Sequence, residues 1–342
     1  MSETLENKDF NPNGVGLKNG NFIGLPFTEK TAEVVLFSVP WDVTVSAGEG
    51  TAEAPEKILE TSFQLNLFDL DVQDAWKRGI YFQPVSDAVM KIRNQLRSKA
   101  SLYIDFLENG GVVSENAEMQ QTLAEINEQC EAMNFFVYRE TKKLLDAGKI
   151  VGLIGGDHST PLGYLTALSE KYERFGVIQI DAHPDLRKAN KGFTYSHASV
   201  FYNAVQMPEI KKLVQVGIRD CCDEEVQLAE NNDRIEVHFD QKLKEEQFNG
   251  ANWDEQCDEI ISELPGNIYI SIDVDGLDPK LCPQTGMPVP GGLEYNQVVY
   301  LFKKILKSGR RIIGFDVCET GNAEWDARVA ARIIYKLSCL AG

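Results

Sequence analysis

Val177-Ile178-Gln179-Ile180-Asp181-Ala182-His183-Pro184-Asp185 is the stretch on which the reading of the fold turns: a mainly apolar run, then three polar side chains at alternate positions. A continuous apolar run is how a strand reads when helices cover both faces of its sheet, the usual situation in parallel sheets. Outward from this run, which begins at Gly176, similar ones recur at residues 34–39, 150–154, 213–216, 235–239, 268–272 and 312–315. Between them the apolar spacing turns helical, over residues 160–173, 254–264, 295–307 and 323–340. That alternation implies an α/β protein, three-layered as α/β/α, with a central and mainly parallel sheet. Residues 71–148 differ: helical periodicity covers 86–108 and 115–145 with few strand signals, so this part reads as a helical elaboration in the N-terminal half. With no repeat or Pro-rich linker, residues 34–342 read as a single domain behind an N-terminal extension, 1–33.

The 342 residues carry 34 Lys and Arg against 52 Asp and Glu, a formal net charge of -18. A chain of that sign repels phosphate backbones, which argues against a nucleic-acid partner and is compatible with small cationic ligands. Residues 1–10 are polar and acidic rather than basic and then apolar, and no run approaches the roughly 18 apolar residues of a membrane helix. Neither export nor a membrane partner is expected. Seven dispersed cysteines without a C-x-x-C spacing suit reduced thiols in a cytoplasm.

In open α/β sheets ligands gather beyond the carboxyl ends of the strands. Three polar clusters stand there: Gly155-Gly156-Asp157-His158-Ser159, Asp181-Ala182-His183-Pro184-Asp185, and Asp273-Val274-Asp275-Gly276-Leu277-Asp278-Pro279. Residues two apart on extended backbone point to one side, so Asp181, His183 and Asp185 can converge, as can Asp273 and Asp275. Taken singly, the first motif is also a strand-to-helix turn and the third a calcium-type loop or capped turn. Together with His158 they aim four carboxylates and two imidazoles at one sheet edge. So many anions repel one another and resist desolvation unless cations join them, and two divalent metals would resolve the conflict. Carboxylate and imidazole donors without thiolate suit ions such as Mn²⁺.

These three clusters, the last extended by Gly286-Met287-Pro288-Val289-Pro290-Gly291-Gly292-Leu293, resemble the metal-binding signatures of the ureohydrolases, the arginase and agmatinase family. The resemblance spans residues 34–340 and is most specific after residue 150. It implies two Mn²⁺ ions per chain, one on His158 and Asp185, the other on His183 and Asp275, with Asp181 and Asp273 bridging them. It further implies hydrolysis of a guanidino carbon–nitrogen bond to urea and an amine, and a homo-oligomer, since relatives form trimers and hexamers. His197 matches the family's proton-shuttling histidine, and an imidazole that titrates near neutrality suits such a task. Glu319 matches the glutamate that pairs with the substrate guanidinium in a two-pronged geometry. Each has a plainer reading, as a helix-start histidine and a helix-capping acid. His238, on an apolar strand, reads as structural.

The pattern is not followed throughout. Thr320-Gly321-Asn322 stands where family members carry Val and then Asn-Pro or Ser-Pro, and Gln284 replaces a common Gly. In the loop 186–196 that meets the substrate tail, arginases place an Asn and a Ser, where this chain has Arg187 and Phe193. Arg187 either grips a substrate carboxylate, as in a guanidino acid or N-formimidoylglutamate, or lies outside the chemistry, paired with an acid. Agmatine is the first substrate expected. The alternatives are arginine, guanidinobutyrate or another guanidino acid, and N-formimidoylglutamate; a rival of another class is a catalytically silent, metal-binding scaffold.

Overall fold

The structure, a computed structural model, describes residues 10–342. Its first strand, β1 (Val34–Val39), shows how the layers arise: Val34 and Leu36 enter one apolar core, while Val35, Phe37 and Val39 enter a second on the opposite face. Side chains alternate across a strand, so a run with apolar residues on both faces needs cover on both sides. The other strands are β2 (Ile80–Gln83), β3 (Ile150–Gly155), β4 (Phe175–Ile180), β5 (Ile210–Ile218), β6 (Ile235–Phe239), β7 (Asn267–Asp273) and β8 (Arg311–Cys318). They form one eight-stranded sheet in the order β2-β1-β3-β8-β7-β4-β5-β6. Every pairing is parallel, one step beyond the mainly parallel sheet expected.

The helices are α1 (Ala54–Ser62), α2 (Asp87–Glu108), α3 (Ala117–Asp146), α4 (Leu162–Lys171), α5 (Val200–Ala204), α6 (Asp223–Glu230), α7 (Asp240–Phe248), α8 (Trp253–Ile261), α9 (Tyr295–Lys307) and α10 (Glu324–Leu340). Buried residues of α1, α8, α9 and α10 fill one core, and those of α2, α3, α4 and α5 the other. Local chemistry sets several boundaries: Ser86 Oγ accepts the Val89 N–H at the start of α2, Asn116 Oδ1 accepts that of Met119 at the start of α3, and Asn252 with Glu255 forms a reciprocal cap on α8.

The sequence reading missed β2. It lies within the stretch taken as helical, at the sheet edge, with Ile80 and Phe82 buried and Tyr81 and Gln83 half-buried. Four residues just ahead of a long helical pattern are too few for alternation to stand out. Phe22, Leu25 and Phe27, ahead of β1, are buried in the first core.

Candidate metal centre and active site

The strand order makes neighbours of the carboxyl ends of β3, β8, β7 and β4, and each delivers polar residues to one cavity. Register brings them level: Ile180 pairs with Ile272 and Asp273 with Cys318, so Asp181, Asp273 and Glu319 leave adjacent strands at nearly the same height. Gly156 and Gly276 permit the close packing beneath. A Cβ on Gly156 would fall 2.0 Å from the Trp41 carbonyl oxygen, and one on Gly276 2.5 Å from the Asp181 nitrogen.

Two triads of donors share one residue. His158 Nδ1 lies 2.9 Å from Asp181 Oδ2 and 3.0 Å from Asp185 Oδ2, with Asp273 Oδ2 at 3.5 Å. His183 Nδ1 lies 3.0 Å from Asp275 Oδ2 and 3.6 Å from Asp181 Oδ1. Asp181 thus turns one oxygen toward each imidazole, and all six residues expected as ligands meet. The means differ from the extended backbone expected. β4 ends at Ile180, and Asp185 turns inward through a left-handed φ of 53°. Asp275 sits in a single turn of 3-10 helix, where its N–H bonds Asp273 Oδ1 at 2.8 Å.

The donor set fits a metal pair. His158 Nδ1 is buried and makes no hydrogen bond, although carboxylate oxygens surround it. Lone pairs from ring and carboxylates therefore face common points, and donors about 2.1 Å from an octahedral ion stand about 3 Å apart. The opposite nitrogen explains the ring's orientation: His158 Nε2 is 2.9 Å from Ser271 Oγ, whose own proton goes to Asp316 Oδ1 at 3.0 Å. Ser271 then accepts from Nε2, which leaves Nδ1 as the free donor atom. Neither Ser271 nor Asp316 was singled out from the sequence. The only available signal was Ser271, two residues before Asp273 on the same strand face.

Without ions the cluster holds protons in their place. Burial, then the Asp181 charge, pushes the Asp185 carboxyl up to about 8. Burial, then the charges of Asp275 and Asp181, lifts Asp273 well above the carboxylate range. Burial works against a charged His183, yet Asp181 and Asp275 outweigh it and raise the ring to about 11. Asp181 is the exception: burial would raise it, but His158 and His183 hold it low.

Glu319 stands beside this cluster with a left-handed φ of 59°. Its Oε1 accepts the His158 N–H at 3.0 Å, its own N–H bonds Gly156 O at 2.8 Å, and its carbonyl accepts from Thr285 Oγ1 at 2.8 Å. Its carboxylate has no cationic partner among the described residues, and burial followed by the charge of Asp157 raises it well above its usual range. Strained backbone at Asp185 and Glu319, both facing one cavity, is a mark of function. His197 lines the same cavity, its Nδ1 3.4 Å from Thr44 Oγ1. Burial, then the positive charge that His183 and His158 carry without ions, lowers the imidazole to about 4.

At the cavity mouth, Arg187 Nε is 3.8 Å from Glu225 Oε2, and Glu225 is itself buried, receiving the N–H groups of Leu186 and Cys222. Asp220, Cys221 and Met287 also line the mouth. The departures at Gln284 and after Glu319 touch: a Cβ on Gly321 would lie 2.1 Å from the Gln284 carbonyl oxygen, and Gln284 N–H bonds Asp326 Oδ2 at 2.9 Å. His238 bonds Glu236 at 2.9 Å, away from the cavity.

A parallel α/β sheet that gathers carboxylates and imidazoles at its carboxyl edge fits the class of metal-binding α/β enzymes. The comparisons narrow this, since the sequence matches the arginase family profile over residues 32–339. An N(1)-aminopropylagmatine ureohydrolase of Thermus thermophilus is 31% identical, over 93% of this chain and 92% of that one. An agmatinase of Bacillus anthracis is 26% identical over 84% of this chain and 83% of its own. The agmatine ureohydrolase of Thermoplasma volcanium, 20% identical, shares the fold with a TM-score of 0.69 over 93% of each chain. The chain belongs to the arginase family, whose members are metal-dependent hydrolases of amidine carbon–nitrogen bonds.

Proposed function

We propose that this chain is a binuclear manganese ureohydrolase that cleaves a cationic guanidino compound of the agmatine type to urea and an amine. The observation that carries the reading is Asp181, whose two oxygens face two different imidazoles, beside a buried Glu319 without a cationic partner among the described residues. His158 and Asp185 would hold one ion, His183 and Asp275 the other, and Asp181 and Asp273 both. Bound ions supply a water acidic enough to act as nucleophile at neutral pH. Glu319 accepts two N–H groups of the guanidinium, which orients the carbon and neutralises a carboxylate that burial disfavours. His197, neutral near pH 7, relays a proton from solvent to the departing nitrogen. The mouth selects the tail. Asp220 and Glu225 stand at this rim against a single basic side chain, Arg187, which lies 3.8 Å from Glu225. A cationic tail fits this arrangement better than the carboxylate of arginine, guanidinobutyrate or formimidoylglutamate.

The relative named for N(1)-aminopropylagmatine favours a second reading, in which a longer polyamine tail passes Asp220. The proposal includes a cytoplasmic homo-oligomer; among the described residues no helix is long and apolar enough to cross a membrane. One panel tests the substrate: Mn²⁺-loaded protein with agmatine, aminopropylagmatine, arginine, guanidinobutyrate and N-formimidoylglutamate, scored for urea and formamide. Urea from agmatine or aminopropylagmatine is expected. Formamide alone would select the formimino reading, and silence with metal bound would leave a scaffold.

A further inference from the structure

The hairpin of α2 and α3 contributes no residue to the cavity lining, yet its side chains reach both loops that frame the mouth. Arg97 Nη1 donates to the carbonyls of Val43 at 3.0 Å and Val45 at 2.8 Å, and Nε and Nη2 donate to Glu49 Oε1 at 2.9 and 2.7 Å. One turn earlier, Arg93 forms a two-pronged pair with Asp42, whose Oδ2 also accepts the N–H groups of Gly50 and Ala52 at 3.2 Å. Loop 42–50 is thereby pinned at both ends. Its residues Val45, Ser46 and Ala47 line the cavity, and Thr44 touches His197. On the other side, Asn127 donates to Gly192 O at 3.1 Å and accepts the Thr194 N–H at 2.9 Å, while Tyr103 Oη donates to Lys191 O at 3.0 Å. These contacts hold the loop that carries Arg187 and Asn190 into the cavity.

We infer that α2 and α3 brace the two substrate loops, with Arg97 and Asn127 as positioning residues that set how tightly the substrate is held. The physical reason lies in the donors: a guanidinium has five N–H groups in a rigid fork, so one buried side chain can tie two carbonyls and a carboxylate together. A lysine has neither the fork nor the reach. Loop 42–50 also abuts the opposite rim, since a Cβ on Gly48 would lie 2.3 Å from Gly286 Cα, next to Met287. Loosening one loop therefore widens the mouth without touching the metal donors.

The kinetic part rests on the cavity binding a guanidino substrate as proposed above, so the experiment has two independent readouts. Glu49→Gln and Asn127→Ala are the main variants, because both side chains lie near the surface, and Arg97→Lys is the sharper one if it folds. In Mn²⁺-loaded protein, each should raise KM for agmatine about tenfold with kcat within about twofold and metal content unchanged. Hydrogen exchange should quicken at residues 43–50 in Glu49→Gln and at 190–194 in Asn127→Ala, whether or not any guanidino compound is hydrolysed. Unchanged exchange in those segments overturns the brace. So does a fall in kcat that accompanies loss of metal, which would mark general structural support. Absence of turnover in the parent protein would instead count against the proposed activity and leave the exchange result to decide the brace.

Discussion

At the floor of the cavity, Asp181 and Asp273 leave adjacent strands and are almost wholly buried, whereas at its mouth the side chains of Arg187 and Asp220 ride on loops and are 45% and 60% exposed. Asp181 and Asp273 are set by the register of the sheet, and the other donors follow on short turns just beyond the strand ends. The mouth depends on contacts between separate segments, such as Glu225 with Arg187 and Gly48 with Gly286. A mouth contact can therefore be exchanged without disturbing a strand, which leaves the floor intact.

If the floor acts as one unit, Asp273→Ala should lower urea release by more than about a hundredfold, the upper range for a residue that merely supports a ligand. Metal analysis should show lost manganese in the same variant. Full metal occupancy with normal turnover would remove Asp273 from the ligand set. His197→Ala separates proton transfer from metal binding: kcat should fall by about a hundredfold or more while both ions stay bound. Loss of metal from that variant would contradict the relay.

The metal-free floor should also carry a recognisable pH dependence. Asp185, raised to about 8, binds a proton in the folded state that the unfolded chain has released above its ordinary value, so its contribution to stability is lost as pH rises toward 8. His183, raised to about 11, continues the loss above the usual imidazole range. Asp181, held low, is ionised in both states above the ordinary carboxylate value and adds no slope there. Melting temperature of the metal-free protein should fall as pH rises from 5 to 9, and stabilisation by Mn²⁺ should grow over the same range because the metal displaces protons. A rising melting temperature without metal would mean that the cluster is not protonated as described.

The smallest effect belongs to the mouth. Arg187→Ala should change KM for agmatine by less than about fivefold, the worth of one exposed ion pair. A large rise in KM confined to arginine or guanidinobutyrate would show that Arg187 holds carboxylates and would reverse the assignment of the tail.

Much of the floor was legible because its chemistry is local. Each donor cluster follows an apolar run, and charged residues packed beyond a buried strand demand compensation wherever the strand lies. The backbone route was not legible: alternation placed Asp185 on the correct side, but the chain arrives there through a left-handed turn after the strand has ended. The short β2 was hidden just ahead of a long helical pattern. Nothing in the residues 87–146 announced contact with loops 42–50 and 186–196, since Arg97 reads as an ordinary helix-surface cation until it is seen buried against two carbonyls.

By itself the sequence determined the layered α/β architecture, the polar clusters at the strand ends and the family, since apolar periodicity and motif spacing act over a few residues. Tertiary structure decided which strands stand side by side, and so why Glu319 meets the backbone of His158, 161 residues away. It also decided the surroundings of Arg187, whose Nε lies 3.8 Å from Glu225 of α6. Both outcomes depend on strand order and register, which arise from the packing of the whole sheet rather than from any one segment.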